Sequence, residues 1–283
     1  MKLIFTLAAI TFLSIQVDLP KKLRKAYIFV PSGNVGINDE KLAISSFYMA
    51  KAEVTNGQYN AFLDWLSENG TEEEQMLARI RNENWIERYQ TPGEKYAEYY
   101  HIHEAYQDYP AVNVTYEGAM LYCNWLQTQL NEELDDQSVV VRLPSHAEFI
   151  SAGAGESPKS SYAWGDNYLR EPDGNFRANC LIVLQQQITR DEGGYPKIVQ
   201  PIRIDGAHQG SVDLTAPSES YYPYSHGFYN LNGNVAEMIS EKGVAVGGSF
   251  QDYGRDIRLQ SRKAYEGSAC DVGFRPVIAI GEQ

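Results

Sequence analysis

The 283-residue chain holds three thiols, Cys123, Cys180 and Cys270, and nucleophilic or redox sulfur chemistry needs a thiolate in place. Cys123 falls on an apolar helical pattern and reads as a small buried hydrophobe. Cys180 and Cys270 could pair in an oxidising compartment, on arithmetic alone. A glycine-rich stretch, Gly247-Gly248-Ser249 to Gly273-Phe274-Arg275, carries no cysteine from Phe250 to Arg262; its polar groups include Asp256, Arg258 and Arg262. For Arg262 and Arg275 a structural ion pair is the preferred reading. His101-Ile102-His103-Glu104 is the remaining candidate cluster. In an extended segment its two histidines would point the same way, as metal ligands do, although a solvated or partner-facing loop is preferred. No nucleophile elbow, phosphate loop or paired catalytic carboxylate stands out.

The elements that must carry these groups are legible in part. Tyr27-Ile28-Phe29-Val30 reads as a strand closed by a Pro31-Ser32-Gly33 turn, and residues 47–54 form a second extended stretch. Thr55 and Gln58 form a capping box, followed by Tyr59, Phe62, Leu63 and Leu66 at helical spacing. Thr115 opens a second helix with Ala119, Tyr122, Cys123, Leu126 and Leu130 on one face. Ser145 with Glu148, after Arg142-Leu143-Pro144, opens a third. Residues 72–109 are polar and Tyr-rich, with no core-like helix, and predict a long ordered loop or an insertion serving recognition. From Gly165 onward Gly, Asn and Pro are dense, so the C-terminal half is expected to be loops and short strands.

A composition of 43% hydrophobic and 22% charged residues is that of a globular chain, and 283 residues can bury a sizeable core. A formal charge of -13 argues against a nucleic-acid partner, whose phosphates it would repel. Behind Lys2, the apolar run from Leu3 to Leu13 resembles a secretory signal peptide and is short for a membrane span. The reading is a signal peptide over 1–18, a basic linker over 19–26 and one domain over 27–283. No lipoprotein cysteine follows the apolar run, so the chain is expected in the periplasm or peripherally associated with the outer membrane.

Several motifs in order then carry a resemblance. They are Phe47-Tyr48 with Glu53-Val54-Thr55-Asn56-Gly57-Gln58-Tyr59, Tyr109-Pro110-Ala111-Val112-Asn113-Val114-Thr115-Tyr116 leading into Tyr122-Cys123-Asn124-Trp125, and Arg142-Leu143-Pro144-Ser145-His146-Ala147-Glu148-Phe149. Tyr162-Ala163-Trp164-Gly165-Asp166, Ala178-Asn179, residues 227–237 and the closing Gly-Phe-Arg follow. Together they resemble the formylglycine-generating, or sulfatase-modifying factor, family across nearly the whole expected domain. The resemblance implies an α+β, C-type-lectin-like, loop-rich fold. Residues 100–110 and the closing Gly-Gly-Ser-Phe-Gln-Asp resemble the gliding-motility and type 9 secretion lipoproteins of Bacteroidota.

The resemblance also implies a site. Active members use two thiolates that bind copper(I) and activate oxygen. Counting back from Arg262 places Gly254 and Leu259 at those positions, so neither copper nor formylglycine synthesis is expected. Calcium, structural in the family, would take the carbonyls of Asn230, Gly233 and Val235 and the Glu237 carboxylate; a plain Asn-Gly turn with a capping glutamate is the alternative. A second site would use Asn179 and Cys180 with either Asp191 or Asp205. The expected role is a non-catalytic subunit of an envelope secretion or motility machine, meeting protein partners through Tyr99, Tyr100, His101, His103, Tyr106 and Tyr109. An enzyme with other chemistry in the old groove, or a lectin-like ligand binder, are the alternatives. They turn on whether the space around Gly254 and Leu259 is open or filled.

Overall fold

The computed structural model describes residues 23–37, 40–134, 139–155, 160–182, 188–198, 214–224 and 226–280. The expected signal peptide, and the linker up to residue 22, lie outside them. Leu23–Lys25 forms one 3-10 turn, and the first strand, β1, is Tyr27–Val30. Then come β2 (Gly33–Ile37), β3 (Glu40–Ile44) and β4 (Phe47–Ala50), followed by the helices α1 (Asn56–Asn69), α2 (Glu72–Ala78), α3 (Glu83–Tyr89), α4 (Thr91–Tyr99) and α5 (Tyr116–Glu133). β5 (Val139–Arg142) and α6 (His146–Ala154) close the helical half. The remainder is short strands in long loops: β6 (Ile188–Arg190), β7 (Pro196–Ile198), β8 (Ala236–Met238), β9 (Val244–Val246), β10 (Arg262–Ala264), β11 (Val272–Phe274) and β12 (Val277–Ile280). This is the mixed, loop-rich α+β class read from the sequence.

The helix starts follow the capping grammar. Thr55 accepts from the Gln58 amide while the Gln58 side chain accepts from Thr55 N–H. Ser145 and Glu148 repeat the arrangement at α6, and Thr115 caps α5 by accepting from Gly118. Glu148 does a second job: its carboxylate receives both terminal nitrogens of Arg142, at 2.8 and 2.6 Å, tying the end of β5 to the start of α6.

Two four-stranded sheets organise the molecule, in the orders β1-β4-β12-β5 and β10-β9-β8-β11. The first is antiparallel throughout, and β8 and β11 are parallel in the second. Only Arg275 and Pro276 separate β11 from β12, so the chain passes between the sheets at Arg275. One core gathers Tyr59, Phe62, Tyr122 and Phe274 in edge-on and stacked contacts. A second packs Phe149, Phe228, Val246, Leu259 and Val277 between α6 and the C-terminal loops.

The structure overturns one expectation. Residues 72–109 hold three short helices, not a loop; α3 and α4 pack a cluster around Trp85 and Tyr100 with Val112, Val235 and Cys270, and Ala78 of α2 joins the first core. Each helix buries only one residue, Ala78, Trp85 or Gly93. A helix that contributes a single buried residue leaves no apolar period to read.

Candidate functional site

The stretch that drew attention for its missing thiols begins with a doubled left-handed turn, Gly247 at φ 79° and Gly248 at φ 64°. A Cβ on Gly248 would come within 2.7 Å of the Asp256 carbonyl oxygen and the Ile257 Cα, so only glycine lets the chain curl back this closely. The turn delivers Ser249 into a compact polar cluster. Its amide donates to Asp252 Oδ2 at 2.9 Å and its Oγ lies 2.7 Å from the same oxygen and 3.0 Å from Asp271 Oδ2. Lys263, on β10, donates to Asp252 at 2.8 Å and also to Asp271. Burial pulls Lys263 down, but the carboxylates of Asp271 and Asp252 outweigh it and hold the ammonium above the ordinary lysine value. A cationic lysine cannot take the Ser249 proton. The cluster is an ion-pair lock, not a serine–lysine nucleophile.

The two positions set against the family's thiols differ from each other. Leu259 is fully buried in the second core, and a Cβ on Gly153 would come within 2.3 Å of its Cδ2. Gly254 opens a 3-10 turn, Gly254–Ile257, whose carbonyl accepts from the Tyr162 hydroxyl at 2.8 Å. It borders a cavity of about 790 Å3 walled by Tyr162, Tyr168, Leu169, Phe176 and Tyr253. Leu259 fills its own position, and a Cβ on Gly254 would meet Leu169 Cδ1 at 2.4 Å, so the open space lies beside the Gly254 backbone and not at its side-chain position. The Arg258 cation lies near the Tyr162 hydroxyl, Asp256 pairs with Arg255, and Arg262 pairs with Glu241, as the structural reading of Arg262 anticipates. The three cysteines form no disulfide and sit in three different hydrophobic clusters. Burial pushes Cys123 and Cys180 up to about 12 and Cys270 up to about 11.

Beneath this segment lies a fully buried charge group. Arg275 donates through Nε and Nη2 to both oxygens of Glu237, at 2.9 and 2.6 Å, and through its terminal nitrogens to the Ala50 and Tyr229 carbonyls. Glu53 stands beside this pair and accepts from Asn234 at 2.9 Å and Asn230 at 3.3 Å. Burial, augmented by Glu237 and opposed by Arg275, raises the Glu53 carboxyl to about 8. Arg275 is fully buried, with Glu237 and Glu53 each 1% exposed. The calcium set of Asn230, Gly233, Val235 and Glu237 does not fit as arranged, because both Glu237 oxygens are taken by a guanidinium. In the second set, the Asn179 carbonyl accepts from the Asn234 amide at 2.8 Å, Asp191 accepts from Tyr195 in its own hairpin, and Asp205 lies outside the described residues. Among the described residues no three His, Cys, Asp or Glu side chains converge as a metal site.

Comparison with known proteins places this architecture. A model of the sulfatase-modifying factor enzyme 1-like domain matches residues 17–280. The chain belongs to the sulfatase-modifying factor family. Among its relatives, the formylglycine-generating enzyme of Streptomyces coelicolor is 30% identical over 134 residues, 47% of this chain and 32% of that protein. The one from Bos taurus is 23% identical over 222 residues, 71% of this chain and 50% of that protein. The chain therefore spans between a third and a half of these relatives. The fold agrees with the crystal structure of CarF, with TM-score 0.59 and 20% identity over 90% of this chain and 98% of that one. It agrees also with PvdO from Pseudomonas aeruginosa, with TM-score 0.55 and 15% identity over 90% and 94%.

Within this family member the expected interaction surface needs correction. Tyr100 is fully buried; its hydroxyl donates to the Pro110 carbonyl at 2.8 Å, and its ring lies 4.9 Å from that of Trp85. His101 is 4% exposed, with Nδ1 on Asn56 Oδ1 at 2.8 Å, and burial lowers it to about 3. Both are core residues. Tyr106 and Tyr109 are half-buried in the same cluster, which leaves Tyr99 and His103 at the surface, ring against ring at 6.2 Å. His101 and His103 do not face one another as metal ligands either: His103 Nδ1 caps a 3-10 turn by accepting from Ala105. Sequence reasoning missed Asp252, Lys263 and Asp271. Ser249 and Asp252 stand three apart, which is the reciprocal spacing of a capping box, and that signal could have found half of the cluster.

Proposed function

We propose that this chain is a non-catalytic member of the sulfatase-modifying factor family, exported and serving as a scaffold subunit of an envelope secretion or gliding-motility machine of the type 9 kind. The supporting observation is the state of its sulfur. Residues 250–262 contain no thiol, and the three cysteines are buried, apart and pushed well above neutral values. Copper(I) and oxygen chemistry needs a pair of accessible thiolates, and nothing in the segment replaces them. The buried Arg275–Glu237 pair, the Gly-Gly turn and the capped helices keep the frame without that chemistry. Calcium is not carried into this reading, because Glu237 is spent on Arg275. Tyr99 and His103 remain as exposed residues for a protein partner.

A second reading, ligand binding or different chemistry in the old groove, is favoured by one observation: the cavity beside Gly254 is open. A peptide assay tests the loss of the family's sulfur chemistry. The protein, loaded with copper(I) and given a cysteine-containing peptide and oxygen, is expected to form no aldehyde. Aldehyde formation would overturn the non-catalytic reading. Purification from cross-linked native envelope is expected to yield a stoichiometric assembly of envelope proteins, and recovery of the chain alone would remove the scaffold role.

A further inference from the structure

The cavity beside Gly254 has an unusual charge for its setting. The chain carries 37 acidic and 24 basic residues, yet among the described residues that line this cavity the only charged ones are Arg170 and Arg255. The neighbouring acids are already paired. Asp166 and Glu171, on the same wall, pair with Arg177 at 2.6 and 3.0 Å. Asp256 pairs with the Nε edge of Arg255 at 3.0 Å. Arg170 is set in place: its guanidinium lies 3.7 Å from the Phe176 ring centroid, and Nη1 donates to the Gly174 carbonyl at 2.7 Å. Stacking fixes the plane of a guanidinium, and a fixed fork loses less freedom when it grips a carboxylate.

The rest of the wall is aromatic. Tyr162 stacks face to face on Trp164, with centroids 4.6 Å apart and planes at 5°, and so presents a rigid ring. Tyr168 is 74% exposed, and Tyr253 also lines the space. The walls are joined by the Leu181–Tyr253 bridge and by the Tyr162 hydroxyl on the Gly254 carbonyl. At about 790 Å3 the space is of small-ligand size, mostly apolar with a few fixed polar groups, which is the composition of small-molecule sites. Planar rings favour offset or edge contacts with other rings.

We propose that this cavity binds a carboxylate carried on a planar ring, with Arg170 and Arg255 receiving the carboxylate and Tyr168 and Tyr253 enclosing the ring. A free aromatic acid and the C-terminal aromatic residue of a peptide share this chemistry. The site goes beyond the scaffold role and does not depend on it, since it calls on no thiol and no residue of the helical insert.

Calorimetric titration of the purified protein tests it, with benzoate, N-acetyl-tyrosine and an acetylated tetrapeptide ending in tyrosine as probes, each beside its carboxamide. The acids are expected to bind at least roughly tenfold more tightly than the amides, as a charge-assisted pair requires. R170Q and R255Q should each weaken the acids about tenfold and leave the amides unmoved, while Y168A, at an exposed position, should weaken both by severalfold. A peptide that binds more tightly than the free acids identifies a chain terminus as the ligand; the reverse identifies a small acid. Melting curves of all three variants separate lost binding from lost folding. Equal binding of acids and amides, no binding of any probe, or acid binding unchanged in every variant would overturn the proposal.

Discussion

Two groups of charge in this protein have the same inventory and opposite settings. Glu53, Glu237 and Arg275 put two carboxylates around one cation, and so do Asp252, Asp271 and Lys263. The first group is buried, with its arginine side chain 0% exposed. The second keeps 28% of its lysine side chain and 22% of Asp252 in contact with solvent. Burial decides what the excess carboxylate does. In the first group Glu53 is raised to about 8 and holds a proton at neutral pH, because removing an unbalanced charge from water costs more than giving it up. In the second, solvent and the Ser249 hydroxyl share the load, and the two carboxylates hold the lysine above its ordinary value. Identical counts of charge thus yield a protonated acid in one place and an ion-pair lock in the other.

The sharpest way to break this contrast is at Arg275. R275K keeps the charge but cannot place four hydrogen bonds on Glu237, Ala50 and Tyr229 at once. R275A leaves two glutamates buried with no cation. Loss of one partner of a buried pair costs about 3–5 kcal/mol, so R275A is expected to lose cooperative folding, with R275K close behind it, in chemical denaturation followed by tryptophan fluorescence. An R275A protein as stable as the parent would mean that the passage between the two sheets does not depend on this residue.

Next in size is the proton on Glu53. Its folded-state value, about 8, lies above the ordinary 4.5. The folded form therefore binds a proton that the unfolded chain has released. The stabilisation is complete below about pH 4.5 and is lost as pH rises through 8. Unfolding free energy should fall by on the order of a few kcal/mol from pH 5 to pH 9. E53Q, which keeps the shape and cannot ionise, should flatten that slope. A slope unchanged in E53Q would place the titration on another group.

How much of this was legible beforehand depends on how each residue signals. The capping boxes at Thr55 and Ser145, the apolar face of α5 and the order of the motifs stood in the sequence because local hydrogen bonding and helical period are local properties. Cys123 was legible for the same reason, lying on a five-residue apolar face. Residues 72–109 were not. Tyrosine and histidine serve equally as interface and core, and only the packing of Trp85 against Tyr89, Tyr96 and Tyr100 decides that Tyr100 and His101 lie inside. Glu237 reads as a calcium ligand because a carboxylate in an Asn-Gly loop suits a hard cation, and the arginine it holds in the structure stands 38 residues away, beyond any local pattern. Asp252, Lys263 and Asp271 come from three separate pieces of chain that only the Gly-Gly turn and β10 bring together.

The smallest expected effect tests the more exposed group. K263M keeps the stem of the side chain and removes the cation, leaving Asp252 and Asp271 facing one another through Ser249. Asp252 can turn to water and Asp271, with its side chain 11% exposed, keeps the Ser249 hydroxyl, so the cost should be about 1–2 kcal/mol, below that at Arg275. The pH behaviour should separate the two groups as well. A lysine raised above its ordinary 10.5 contributes stability that is present below that value and lost only as pH rises beyond it. Between pH 5 and 9, K263M should therefore shift the stability curve down without changing its slope, in the interval where E53Q changes the slope itself. A slope that changed in K263M would mean that the two groups titrate as one, and the difference in burial would no longer explain their behaviour.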